Sequence, residues 1–176
     1  MKTYTWLVPS RFCKQTMEKS QNIVSIDACH MKHPRYSGQL LLVTGRDGNM
    51  RNFTVASALV PAENEDNYIF MFEAMGENAG VMQWMDRVQT VIISDRCKGL
   101  ANAIKSCFKS ATPVHCGRHL YMNVKALGNK PAKRGAMRVD TLTHEATSLI
   151  WELIKAPVKN EYDAAMSQLQ VINPGA

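Results

Sequence analysis

Two aspartates punctuate strongly apolar, β-branched runs in this chain. Asp27 lies in Ile23-Val24-Ser25-Ile26-Asp27-Ala28-Cys29-His30, and Asp95 closes Thr90-Val91-Ile92-Ile93-Ser94-Asp95-Arg96. A carboxylate in or at the end of a buried strand is costly to desolvate unless a cation, a metal or a hydrogen-bond network compensates it. Two such carboxylates on neighbouring strands make an oxygen-rich pocket suited to divalent metal ions. The question is then which elements bring positions 27 and 95 together.

Residues 23–28 are apolar on both faces except at Asp27, the pattern of a central strand. Residues 39–44 predict a second strand and residues 52–60 a third, antiparallel to it. Between them Arg46-Asp47-Gly48-Asn49 is a hairpin signal, because Asp-Gly and Gly-Asn tolerate the positive φ of tight turns. Asp47 is therefore read as a turn residue, outside any site. After Pro61, Glu63, Glu65 and Asp66 stand where acids favour the positive end of a helix. The apolar stripe of that helix is Tyr68, Phe72 and Met75, with Ile69 and Met71 beside them. A break over 76–80 precedes a short helical piece through Met85. Residues 90–94 are a fourth strand. Residues 98–108 are a helix with Leu100, Ala103, Ile104 and Cys107 on one face. A fifth strand at 111–116 and a helix at 118–127 follow.

Residues 1–22 read as a short lead-in, with a helix around 11–20. A basic loop spans 128–139, and 140–176 holds two amphipathic helices, 141–155 and 160–171, separated at Pro157. Three meandering strands followed by helix-linked parallel ones are the layout of a ribonuclease H-like α/β core, here 23–127. In that layout the first and fourth strands are neighbours, so Asp27 and Asp95 would face each other.

A chain of 176 residues is of the size of one domain with a small appendage. No apolar run approaches the roughly 20 residues that span a bilayer, and the N-terminus lacks the apolar core of a secretory signal. Neither a membrane partner nor secretion is expected. The 5 cysteines are an odd count without framework spacing, which favours reduced thiols in an intracellular compartment. Net charge +6 and pI ≈ 9.1 favour polyanionic partners.

Several stretches, taken in order, are similar to the Mutator-like element (MULE) transposase domain. They are Asp27-Ala28-Cys29-His30, Tyr36-Ser37-Gly38-Gln39-Leu40-Leu41, Asp47-Gly48-Asn49, Glu65 to Tyr68, Ser94-Asp95-Arg96-Cys97-Lys98-Gly99-Leu100 and His115-Cys116-Gly117-Arg118-His119-Leu120-Tyr121-Met122-Asn123. The resemblance covers roughly residues 20–127 and implies a DDE-type catalytic core that cuts and transfers DNA strands. Asp27 and Asp95 would be its first two catalytic carboxylates and metal ligands, holding Mg²⁺ or Mn²⁺, two ions once the site is complete. The third acid of such a site follows a helical insertion. The last two helices look like that insertion, so the chain is expected to be truncated before the third acid and weakly active alone. The alternative is a domesticated transposase-derived DNA-binding regulator without catalysis. DNA is the expected partner, with a second copy of the chain as a further option, and the nucleus is the expected compartment of a functional protein.

Other residues carry weaker signals. Cys116-x-x-His119 is half of a zinc pattern; without two further ligands at convincing spacing, zinc is not expected, and a structural or DNA-contacting role is the better reading. His30, beside Asp27, is either a phosphate or metal-water contact or a hydrogen-bonded structural histidine. Arg96, Lys98, Lys130, Lys133 and Arg134 are candidate phosphate contacts, each also readable as a solvated surface cation.

Overall fold

The computed structural model describes residues 4–7, 17–32, 37–77, 79–128 and 144–172. Its sheet is built from runs of β-branched and aromatic residues in strands β1 (Tyr4–Leu7), β2 (Ile23–His30), β3 (Gln39–Arg46), β4 (Asn52–Val60), β5 (Val91–Ser94) and β6 (Thr112–His115). The helices are α1 (Glu65–Gly76), α2 (Ala79–Met85), α3 (Lys98–Cys107), α4 (Gly117–Gly128), α5 (His144–Lys155) and α6 (Lys159–Ile172). The chain divides into two compact units, Met1–Cys116 and Gly117–Ala176.

In the first unit the strand order is β1-β4-β3-β2-β5-β6. β2, β3 and β4 meander antiparallel, whereas β5 joins β2 in parallel and β6 joins β5 in parallel. The sheet is thus mixed, with the first and fourth of the strands expected from sequence side by side. β1 was not expected: Tyr4–Leu7 pairs antiparallel with β4 along Tyr4↔Leu59 to Leu7↔Ala56. Of the expected 11–20 helix, Met17 and Glu18 are helical, Lys19 and Ser20 turn out of it, and 11–16 lie outside the described residues. β6 is exposed along its length and carries Pro113, as suits an edge strand.

Alternation assigns one face of the sheet to the core. Val24, Ile26, Leu41, Val43, Ala56, Ala58, Val60 and Ile92 are all buried there under Tyr68, Met71, Phe72, Met75, Trp84, Met85, Leu100, Ala103 and Ile104. Val55 breaks the alternation, being buried next to Ala56. Opposite them the register shifts between Val43 and Thr44, so one extra residue of β4 is accommodated as a bulge. The apolar stripe of α1 is therefore core, as the periodicity requires.

The β3–β4 connection differs from a tight Asp-Gly hairpin. The Asp47 carboxylate accepts the amides of Asn49 and Arg51 at 2.9 and 2.8 Å, and the left-handed residue is Met50, at φ 65°. The Asp47 carboxylate holds this wider turn with help from the Arg46 side chain, whose Nε donates to the Met50 carbonyl at 3.2 Å, and the positive φ falls on Met50 instead of on Gly48 or Asn49.

A second carboxylate pins the approach to β6. Asp86, after α2, accepts the backbone amides of Lys109, Ser110 and Ala111 at 2.6 to 3.0 Å. Partial burial pushes its pKa up, but the three amides outweigh that and hold it below the usual carboxylate range. A depressed folded-state pKa contributes stability above the unfolded-state value and loses it as pH falls through the folded one. Asp86→Ala is expected to cost about 1–2 kcal/mol at neutral pH. Urea midpoints should converge with those of the parent protein as pH falls below the usual aspartate range and through the depressed folded-state value.

In the second unit α5 and α6 form a small core of Ala146, Leu149 and Leu169, flanked by Ile150, Leu153 and Ile172. These helices agree with the expected 141–155 and 160–171 to within a few residues.

Candidate functional site

Parallel pairing of β2 with β5 runs from Ile23↔Val91 to Ile26↔Ser94. Asp27 and Asp95 are each one residue beyond the last registered pair, at the same end of adjacent strands. Such strand ends are where α/β sheets gather ligand sites. Asp27 is exposed, on the face opposite buried Ile26, and its Oδ1 accepts the Ala28 amide at 2.8 Å. Asp95 is half-buried, and its Oδ1 accepts the Cys97 amide at 2.9 Å. Asp95 is not the N-cap of α3. That position belongs to Cys97, whose side chain makes no capping bond.

Asp95 has two neighbours that sequence reasoning did not place with it. Ligand atoms of Glu63, Asp95 and Cys97 lie within 4.8 Å of one another, and among the described residues this is the single gathering of three or more metal-competent groups. Asp27 is not a member of it. The Glu63 carboxylate accepts the hydroxyl of fully buried Tyr68 at 2.8 Å. Burial and the bond to Glu63 push the Tyr68 phenol up, so it stays a donor. Burial and the Glu63 charge push the Cys97 thiol up as well, although the amides of Leu100 and Gly99 oppose this. At neutral pH the thiol is therefore protonated, and oxygen donors dominate the set. Two of the three donors are carboxylates, and carboxylate oxygens fit a hard divalent cation such as Mg²⁺ or Mn²⁺.

The cluster exists because the starts of α1 and α3 touch. A Cβ on Gly99 would lie 2.8 Å from the Glu65 backbone nitrogen and 3.1 Å from the Asn64 carbonyl carbon. Asn102 adds a 2.8 Å bond from its side-chain amide to Glu65, while Asn64 caps α1 by accepting the Asn67 amide at 3.0 Å. Gly99→Ala is expected to force the two helix starts apart, at a cost of about 1–3 kcal/mol. A denaturation midpoint unchanged from the parent would contradict that close approach. Glu63 had one signal in the sequence: Tyr68, five residues on, brings a hydroxyl into an otherwise apolar helical stripe, and a buried phenol needs an acceptor.

The remaining candidates are dispersed. His30 ends β2 and is exposed; Arg96 and Lys98 are exposed beside Asp95. Cys116 donates its amide to the Ser94 carbonyl at 2.7 Å, which ties the end of β6 to β5. His119, in α4, keeps a buried Nδ1 without a hydrogen-bond partner among the described residues. Neither Cys116 nor His119 belongs to the Glu63–Asp95–Cys97 group. Lys130, Lys133 and Arg134 lie outside the described residues.

Residues 23–123, more than half of the chain, match the MULE transposase domain. The chain belongs to that family. The match begins with β2 and ends inside α4, so it takes in both aspartates, Glu63 and the whole 94–100 segment of this MULE transposase domain. No curated protein matches the chain. Among solved structures, one chain of a cryo-EM structure of the simian T-cell lymphotropic virus intasome in complex with PP2A regulatory subunit B56 gamma aligns at 13% identity and a TM-score of 0.36. That alignment covers 90% of this chain and 50% of the other, so the MULE chain spans about half the length of the solved chain it matches.

Proposed function

We propose that this chain carries part of the catalytic centre of a DDE-type DNA transposase with a ribonuclease H-like core, cutting and transferring DNA strands with divalent metal. The observation that carries this reading is the parallel β2–β5 register, which sets Asp27 and Asp95 at one end of adjacent strands in a chain of the MULE family. Asp95 and Asp27 would hold the metal, with Glu63 beside Asp95. Bound there, a divalent ion supplies Lewis-acid stabilisation of the phosphate and a water or 3′-hydroxyl more readily deprotonated.

The chain's own residues then perform three tasks. The amides of Ala28 and Cys97 each occupy one carboxylate oxygen of the two aspartates, which fixes both carboxylates in orientation before metal arrives. Tyr68 does the same for Glu63 from the buried side. Exposed Arg96 and Lys98 stand next to Asp95, where cations hold a DNA phosphate against its carboxylate by charge. A third acid, supplied from beyond these strands, would complete the donor set and raise the weak activity expected of the two aspartates alone.

The test is nicking of supercoiled plasmid in Mg²⁺ or Mn²⁺, with chelator as control. Metal-dependent nicking that vanishes in Asp27→Asn supports the reading. Equal nicking by parent and variant removes it. DNA binding with no nicking in any metal would instead mark a DNA-binding domain without catalysis.

A further inference from the structure

The second unit holds a groove that the strand-end aspartates do not use. It lies between α4 and α5, has a volume of about 660 Å³, and is lined by Tyr121, Lys125, His144, Thr147, Ser148 and Trp151. The two helices run antiparallel. A Cβ on Gly117 would lie 2.5 Å from Ile154 Cγ2, and Tyr121 meets Trp151 further along. Gly117 thus lets one end of the pair close tightly, and the groove occupies the rest. His144, Thr147, Ser148 and Trp151 recur at the spacing of one helical face, as do Tyr121 and Lys125 on α4.

The lining is unlike a core. α5 buries Ala146 and Leu149 against α6, so Trp151 and Tyr121 are not needed there and both stay half-buried. Their rings meet edge to face at 5.1 Å and 64°. The Lys155 ammonium stands 4.9 Å from the Trp151 ring centre, a cation–π contact. Among the described residues no carboxylate lines the groove. Between Gly117 and Arg138 the sequence carries six lysines and arginines and no acid.

The geometry points to a site for one unpaired nucleotide of a DNA strand, its base against Trp151 and Tyr121 and its phosphate at Lys125 and the Ser148 hydroxyl. Aromatic surface beside cations is the chemistry that binds single strands, because every base offers a π-face and every linkage a negative charge. A volume in the range of small-ligand sites admits a nucleotide but not a duplex, and a paired base must leave its stack to enter. The choice of DNA as ligand rests on the proposed function; the groove itself requires neither metal nor Asp27 and Asp95.

The test is fluorescence anisotropy with the whole chain in chelator, using labelled oligothymidylate, oligouridylate and a duplex of equal length. Trp151→Ala is expected to weaken oligothymidylate binding about tenfold, with Trp151→Phe retaining most of it. Duplex binding should change less than about twofold, since phosphate contacts rather than stacking carry it. Lys125→Gln, an exposed change with no folding role, should lower the salt dependence of binding by about one counterion. Undiminished oligothymidylate binding by Trp151→Ala overturns the site, as does equal loss on strand and duplex. Tighter binding of oligouridylate than oligothymidylate overturns the assignment to DNA. Undiminished binding by Trp151→Ala alongside metal-dependent nicking by the parent counts against the groove alone, whereas the expected loss of binding in a chain that nicks in no metal counts against the catalytic reading alone.

Discussion

Asp95→Asn is expected to lower metal-dependent strand scission by about a hundredfold or more, equivalent to about 2.7 kcal/mol of transition-state stabilisation. The change is nearly isosteric. Asparagine Oδ1 can still accept the Cys97 amide that Asp95 accepts at 2.9 Å, so the β5–α3 turn survives. What disappears is the negative charge beside Glu63. Asp27 and Glu63 then lack the carboxylate that partners each of them, and hard divalent ions bind so depleted a set of charged oxygens poorly. Asp27→Asn should act in the same direction while preserving the Ala28 amide contact. Thermal midpoints close to that of the parent, alongside lost scission, would separate chemistry from folding.

Trp84→Ala is expected to be the most damaging single change to the fold, at about 3–5 kcal/mol. Trp84 is the largest fully buried side chain among the described residues, 1% exposed, and faces Phe53 at 6.2 Å between ring centres. Both rings crowd the backbone at Gly45, where a Cβ would lie 2.6 Å from Phe53 and 3.0 Å from Trp84. Truncation would leave a cavity under β3 that Gly45 has no side chain to fill. Trp84→Phe should cost much less. Beyond keeping most of the apolar volume, it removes an indole N–H that is buried without a partner among the described residues, and such a donor is a standing penalty. Urea denaturation of the two variants checks both magnitudes; equal losses would contradict this account of the site.

The strands that carry the two aspartates were legible because they are short, β-branched and bounded by turn formers. So was their adjacency, since a meander followed by helix-linked strands constrains the order of the sheet. β1 was not legible: four residues at a sheet edge leave too short a run for periodicity, and the pairing with β4 carries its stability. The bulge at Val55 was hidden for a related reason, as it is a property of two strands in register and not of either alone. The Asp47 turn shows local chemistry overriding a dipeptide rule, because one carboxylate holding two amides moves the left-handed residue to Met50.

The site was half legible. Asp27 and Asp95 announce themselves as charges in apolar runs. Glu63 does not, because an acid just before a helix is what dipole and capping preferences supply in any protein. Its place beside Asp95 depends on the contact of Gly99 with the Asn64–Glu65 backbone, a tertiary fact joining residues more than thirty positions apart. Nor did spacing reveal that Tyr121 and Trp151 meet across two helices, since the basic segment between them hides the pairing.

The central claim is that Asp27 and Asp95 hold divalent metal together, and Mn²⁺ binding to the purified chain, followed by electron paramagnetic resonance, tests it most directly. The parent protein is expected to bind Mn²⁺ with competition by Mg²⁺, each single Asp→Asn variant to bind more weakly, and the double variant to show no specific binding while still folded. Unchanged Mn²⁺ affinity in the folded double variant would contradict that claim.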